Sequence, residues 1–482
     1  MNELSEASSH LKVPRPGVVT FVYFILLVGA VALFFLIRSI GEGIPHAPLD
    51  SIGPETKPTV APHSQTLPQV LLALVTIMVT ARVLGVVFQR LGQPRVIGEV
   101  VAGIVLGPSL LGRLSPETTA LLLPTTIMPI LGVLAQLGVI LYMFLVGLEL
   151  NSELLRSKAH TTVAISHASI VAPFLLGALL ALGVYSRHAP EGVSFTSFAL
   201  FMGVAMSITA FPVLARILTD LGIEKTALGV VALSCAAADD VTAWCLLAFV
   251  VGVTQADVYG AAATVALAAV YIGLMFGLAR PWMNRWFGTA TGSRPSNELT
   301  AWVLVAVLTS ALLTEAIGVH AIFGAFLLGA IIPHDSDIAR SFRHKLEDVV
   351  SILLLPTFFA FTGARTQIGL LSQPSDWLIC AIIILIATAG KFGGTLAAAR
   401  FTGLDWRTSA SLGILMNTRG LMELIVLNIG LDMGVISPAL FAMMVLMALV
   451  TTIATTPILR RLKGPGLVVT SSVQREVPVL QR

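Results

Sequence analysis

Charge is what this 482-residue chain has least of: Asp, Glu, Lys and Arg make up 11% of it, against 56% hydrophobic residues. Soluble domains carry about 25% charged residues, so a water-soluble globule is excluded and a polytopic membrane protein is indicated. The formal net charge of +3 is small and its basic residues are scattered, which excludes a nucleic-acid partner. Cysteine is scarce too. Of three, Cys235 and Cys245 lie ten residues apart on one apolar segment, about 15 Å along a helix axis, too far to join. No CxxC or HExxH spacing occurs, so no disulfide framework, zinc site or resident cofactor is expected. A GxxxxGK[ST] loop that would draw on ATP is also missing.

Long apolar runs fill the space that charge vacates. The first, Val18 to Ile37, is longer than a signal-peptide core and ends at Arg38 without a small-residue cleavage site, so it reads as a retained helix in preference to the alternative, a cleaved signal. A Pro-, Gly- and Ser-rich loop follows, Gly41 to Thr66. Further segments run from about Leu67 to Phe88, Val96 to Leu111, Met128 to Leu148, Thr161 to Val184, Phe195 to Leu218, Thr226 to Val253 and Val258 to Leu278. After a basic loop, Arg280 to Arg294, come Leu299 to Ile317, Ala321 to Ile332, Val349 to Thr362, Trp377 to Ala398, Ser409 to Ile429 and Pro438 to Leu459. These make about fourteen spans by the roughly 20-residue criterion, two of them short. With a cytoplasmic N-terminus, about 21 of the 29 Lys and Arg fall inside and about 5 outside, as the positive-inside rule requires. The C-terminus is then cytoplasmic as well.

Two halves of the chain look alike. Ala102 to Gly107 (AGIVLG) resembles Gly324 to Gly329 (GAFLLG), and Leu141 to Gly147 (LYMFLVG) resembles Leu355 to Gly363 (LPTFFAFTG). Seven spans separate the related short segments, an odd number, so corresponding helices run in opposite directions. That is the signature of inverted repeats with a substrate site near the midplane. The domain reading is therefore an N-terminal tail, extra helix and external loop (1–66), a membrane domain (67–461) and a short cytoplasmic tail (462–482). Within the membrane domain, repeat one covers about 67–253, a linker helix 258–278 and repeat two about 299–459.

Polar residues stand out against this background. Asp239 and Asp240 fall near the centre of Thr226 to Val253, where carboxylates are costly unless they meet a partner, water or an ion. Lys391, in another span, is the cation available to hold one of them, unless it snorkels towards the helix end near Arg400. Neighbouring helix positions point about 100° apart, so one Asp can hold Lys391 while the other faces an aqueous funnel. Two spans carry helix breakers: Ser207, Thr209 and Pro212 in one, Asn417 and Thr418 in the other, at matching places of the two repeats. Paired interrupted helices point to a transporter's binding site. Arg419 and Glu423, four apart, form a candidate ion pair, as do Arg95 and Glu99. His167 reads as a packing residue, and His320 and His334 fall in loops.

Four stretches then carry a resemblance: Gly92 to Gly112 (GQPRVIGEVVAGIVLGPSLLG), Ser207 to Arg216 (SITAFPVLAR), Val319 to Pro333 (VHAIFGAFLLGAIIP) and Asn417 to Gly430 (NTRGLMELIVLNIG). They resemble the cation/proton antiporter-2 family, most closely its plant cation/proton exchangers, over about Leu67 to Arg461, and suggest a bacterial member in the inner membrane. The resemblance implies an all-α inverted-repeat antiporter fold with two crossed discontinuous helices, about 13 core spans and one extra N-terminal helix. It also implies a mobile core domain, a dimerisation or scaffold domain and a homodimer in lipid. No cofactor is implied beyond the transported ions, Na+ or K+ and H+. By motif matching, Asp240 corresponds to the carboxylate that binds cation or proton, and Lys391, in Gly390 to Gly394 (GKFGG), to the intramembrane lysine. Asp239 stands where the plant exchangers carry Asn. Paired aspartates imply a second carboxylate at the alkali-cation site and an electrogenic cycle. The large cytosolic domain of the plant and glutathione-gated members has no counterpart after the last span. Rival readings fit less well. An intramembrane aspartyl protease draws its acids from Gly-x-Gly-Asp and Tyr-Asp contexts, both missing here. A channel needs no site closed to both sides, and a sodium-coupled organic-acid symporter does not call for adjacent aspartates with a lysine.

Overall fold

The computed structural model describes residues 16–44, 63–149, 159–255, 258–287, 297–333 and 336–462. The N-terminal tail, most of the loop after the first helix, part of the basic loop, His334 and the C-terminal tail lie outside them. Among the described residues every regular element is helical. The principal helices are α1 (Pro16–Gly41), α2 (His63–Arg90), α3 (Arg95–Leu106), α4 (Met128–Glu149), α5 (Ala159–His188), α6 (Phe195–Ser207), α7 (Phe211–Asp220), α8 (Ala227–Gln255) and α9 (Val258–Leu274). The second half supplies α10 (Asn297–Ile317), α11 (Ala321–Ile331), α12 (Asp337–Val349), α13 (Leu355–Arg365), α14 (Pro374–Phe401), α15 (Trp406–Met416), α16 (Leu421–Asp432) and α17 (Pro438–Leu462).

Among the described residues, eleven spans are long and apolar enough to cross a membrane, α15 and α16 form a broken pair bent by 42°, and α11 and Val28–Gly41 of α1 are shorter apolar helices. Together they account for the fourteen segments read from hydropathy. The chain is an integral membrane protein.

Packing pairs the halves reciprocally: α3 lies on α13 as α11 lies on α4, and α2 on α3 as α10 on α11. Likewise α8 packs on α5 as α17 packs on α14, while α5 and α14 pack on each other. These exchanges are what an internal two-fold requires of inverted repeats. Small residues permit the crossings. A Cβ on Gly147 would lie 2.3 Å from the Phe326 carbonyl oxygen, and one on Gly363 would lie 2.5 Å from that of Val100. The glycines of the repeated motifs are thus the points where α4 meets α11 and α13 meets α3.

Two groups of helices result. One holds α2, α3, α4, α10, α11 and α13; the other holds α5 to α8 and α14 to α17, with α1 packed against α5 and α6. The second group contains both interrupted helices together with Asp239, Asp240, Lys391, Arg419 and Glu423.

Candidate ion-binding site

Helix α6 stops at Ser207 because Ile208 to Ala210 turn extended, and Pro212 sits in the first turn of α7, where its missing N–H costs nothing. Helix α15 stops at Met416, and α16 begins after Gly420. The two breaks meet. Ala210 N–H donates to the Thr418 carbonyl at 2.9 Å, and the Thr209 hydroxyl lies 3.2 Å from the Met416 carbonyl.

A helix end leaves carbonyls without partners and carries partial negative charge. Two cations cover the end of α6. The Arg419 guanidinium donates to the carbonyls of Ala205 (3.2 Å) and Met206 (2.7 Å), and Lys391 Nζ donates to that of Ser207 (2.5 Å). Glu423, in the first turn of α16, lies 3.2 Å from Arg419, and both side chains are fully buried. The expected ion pair therefore forms. The Thr452 hydroxyl clasps Arg419 from α17, accepting from its N–H at 2.9 Å and donating to its carbonyl at 2.7 Å.

Asp239 and Asp240 come from the middle of α8 and are 0% and 1% exposed. Asp239 Oδ2 accepts from Lys391 Nζ (2.9 Å), the Thr209 hydroxyl (2.8 Å) and the Ser169 hydroxyl (2.8 Å); Oδ1 accepts from the Ser166 hydroxyl (2.6 Å). Lys391 is fully buried on this pair and does not snorkel. Asp240 differs: its Oδ1 is buried with no hydrogen-bond partner among the described residues. Instead of facing an open funnel, it is shut off from bulk solvent in this conformation. Asn417 Oδ1 and Thr418 Oγ1 are likewise buried and unpartnered. Among the described residues, no group of three or more His, Cys, Asp and Glu side chains could hold a metal ion, so an ion here would rely on hydroxyl, amide and carbonyl oxygens beside the carboxylates.

Ser166, Ser169 and Thr452 were not singled out in the sequence, although Ser166 and Ser169 are two hydroxyls three residues apart in an apolar span. The expected Arg95–Glu99 pair does not form. Arg95, at the first position of α3, reaches back to Gln89 Oε1 at 2.7 Å, and Glu99 makes no salt bridge among the described residues. His167 lies 2.8 Å from the Val163 carbonyl, as a packing residue would, and His320 is the N-cap of α11.

Between the two groups of helices, a cavity of about 280 Å³ is lined by Gln93, Pro94, Asp220 and Arg460 among others. At the other end of α17, the gap lined by Gln136, His320, Asn428 and Asp432 holds only about 30 Å³. There Arg365 of α13 bridges to Asp432 (2.5 Å) and Asn428 (3.0 Å) of α16.

Comparison with known proteins follows the same lines. The family model described as "Sodium/hydrogen exchanger, transmembrane" matches residues 52–461. The chain is 47% identical over 400 residues to the Na(+)/H(+) antiporter NhaS4 of Synechocystis sp., covering 82% of this chain and 97% of that one. It is 39% identical over 411 residues to Cation/H(+) antiporter 17 of Arabidopsis thaliana, matching 84% of this chain and 50% of the plant protein, so it spans about half the length of that relative. In fold it resembles the sodium proton antiporter MjNhaP1 of Methanocaldococcus jannaschii, with TM-score 0.59, 15% identity and coverage of 81% of this chain and 96% of that one.

Proposed function

Because the chain belongs to the sodium/hydrogen exchanger family, we propose that it is a secondary active antiporter that exchanges Na+ or K+ for H+, the two competing for Asp240. One observation carries the assignment to this residue: of two adjacent buried carboxylates, Asp239 has both oxygens bonded to donors while Asp240 keeps an oxygen without a partner among the described residues. A buried carboxylate needs neutralising, and either a proton or an alkali cation does so, hence one excludes the other.

Neutralised, the group of helices carrying the crossing can slide past α3, α4 and α13; bare, Asp240 would carry an uncompensated charge through an apolar barrier. Alternating access follows from movement of that group against the other, driven by the ion gradients. The 280 Å³ cavity beside Asp220 and Arg460 supports a conformation open on that face. We assign that face, and both termini, to the cytoplasm of a bacterial inner membrane. A homodimer through the other group of helices, in lipid, completes the reading. Arg419 and Lys391 hold the crossing rigid, and Asn417 and Thr418 supply oxygens near it.

A sodium-coupled organic-acid symporter does not call for adjacent buried aspartates with one of them held by a lysine, and the Lys391–Asp239 pair at 2.9 Å favours a bare ion. The test is proton movement in sealed proteoliposomes on adding Na+ or K+ chloride at several pH values. Dissipation of an imposed pH gradient by one or both salts is expected, and none by either would reject the reading.

A further inference from the structure

We propose that Ser166 and Ser169 are positioning residues that set the charge offered to the transported ion, and thereby select monovalent over divalent cations. The inference rests on the antiport reading and assigns a role to residues on α5, outside the interrupted helices and the acidic pair.

A carboxylate has about four lone-pair sites. Those of Asp239 are met from three directions: Ser166 and Ser169 on α5, Thr209 in the break before α7, and Lys391 on α14. The two serines sit three residues apart, hence on one face of the helix, and both are fully buried. Their capacities differ, because a hydroxyl has a single proton. Ser169 lies within reach of the Ser166 carbonyl (2.8 Å) as well as Asp239, and Thr209 within reach of the Met416 carbonyl as well as Asp239. Ser166 donates to Asp239 and is the donor to its Oδ1. With all four in place, both oxygens of Asp239 are engaged by donors from α5, α14 and the break before α7, which holds the carboxylate away from the cargo.

The consequence is electrostatic. A site showing one free carboxylate, that of Asp240, is neutralised by one monovalent ion. A divalent ion there would leave a net buried charge, which is costly. Two adjacent carboxylates both free to turn to the ion would instead make a hard divalent site of the kind Ca²⁺ and Mg²⁺ prefer. Sequestering Asp239 removes that option without removing its charge, which Lys391 balances. A purely structural role for the serines would hold α5 on α8 and leave ion preference untouched.

The experiment uses the full chain in proteoliposomes and measures Na+- or K+-dependent proton movement with and without millimolar Ca²⁺ or Mg²⁺. Wild type is expected to be insensitive to the divalent ion. Ser166→Ala/Ser169→Ala is expected to become competitively inhibited, its apparent KM for the monovalent ion rising about tenfold in the presence of the divalent ion, the size of one lost charge-assisted hydrogen bond. Ser166→Thr, which keeps the donor, should stay insensitive like wild type. If the double variant is not monodisperse after purification, Ser166→Ala alone gives the reading through Oδ1. Unchanged divalent sensitivity in a folded, active alanine variant overturns the serine assignment alone, as does inhibition of wild type. Absence of monovalent-driven proton movement in wild type overturns the antiport reading, and this inference with it.

Discussion

The N–H of Ala210 donates to the carbonyl of Thr418 at 2.9 Å, so the break in one repeat is hydrogen-bonded to the break in the other. Two unwound stretches buried in apolar surroundings would otherwise leave backbone groups without partners, each at a cost of several kcal/mol. The crossing solves this mutually: Thr209 reaches the end of α15, and Arg419 reaches the end of α6. The breaks therefore stand or fall as one unit.

Arg419 is the first test of that unit. Arg419→Ala leaves Glu423 buried without its cation, a loss of about 3–5 kcal/mol, whereas Arg419→Ala/Glu423→Ala removes both charges. The single variant is expected to melt at a lower temperature than the double variant in detergent. Equal melting temperatures would mean that the pair contributes nothing beyond its hydrogen bonds to α6.

Arg365 bridges the two groups of helices at the narrow end of the molecule, with side chains 21% and 49% exposed for Arg365 and Asp432. Exposed pairs contribute about 0.2–1 kcal/mol, so Arg365→Ala should shift the balance between conformations by up to about fivefold. In stopped-flow exchange assays the maximal rate should change within that range while the apparent cation KM changes no more than the same factor. Loss of all transport would instead place Arg365 in the ion path.

Gly147→Val drives a side chain into the Phe326 carbonyl at the α4–α11 crossing, while Gly273→Ala meets nothing within 4 Å. The first should reduce the yield of monodisperse protein sharply, and the second should leave it unchanged, as read by gel filtration. Tolerance of Gly147→Val would remove close packing as the reason for that glycine.

Much of this was legible in the residues. Hydropathy located the fourteen apolar segments, because each must match the bilayer, and Asp239, Asp240 and Lys391 stood out because charge at that depth is rare. Ser166, Ser169 and Thr452 did not stand out. Hydroxyls are common in apolar helices and mostly bond back to their own turn, as Thr357, Thr395 and Thr451 do here. Nothing in spacing tells which of them turn outward to a neighbouring helix. The same limit explains Arg95: helix spacing offered Glu99, but the turn between α2 and α3 brought Gln89 closer. Nor did sequence decide which aspartate would hold Lys391, since that depends on how α8 is rotated against α14.

Asp405 caps α15, accepting from the N–H groups of Arg407 (2.9 Å) and Thr408 (3.1 Å). Hydrogen bonding from Thr408, chiefly through its side chain, holds its pKa below the usual aspartate value. Its contribution is thus present above the unfolded pKa and lost as pH falls through the lower folded one. Asp405→Ala should cost about 0.5–2 kcal/mol at neutral pH, and the difference from wild type should fade below about pH 4. Thermal unfolding at the two pH values checks this.

The central claim is that one buried carboxylate takes either a proton or an alkali cation. It is tested most directly by Asp240→Asn, which keeps the shape and removes the charge. In proteoliposomes containing folded variant, Na+ and K+ should move no protons at any pH, while Asp240→Glu, which restores the charge, should recover part of the exchange. Cation-driven proton movement by Asp240→Asn at the wild-type rate would contradict the account.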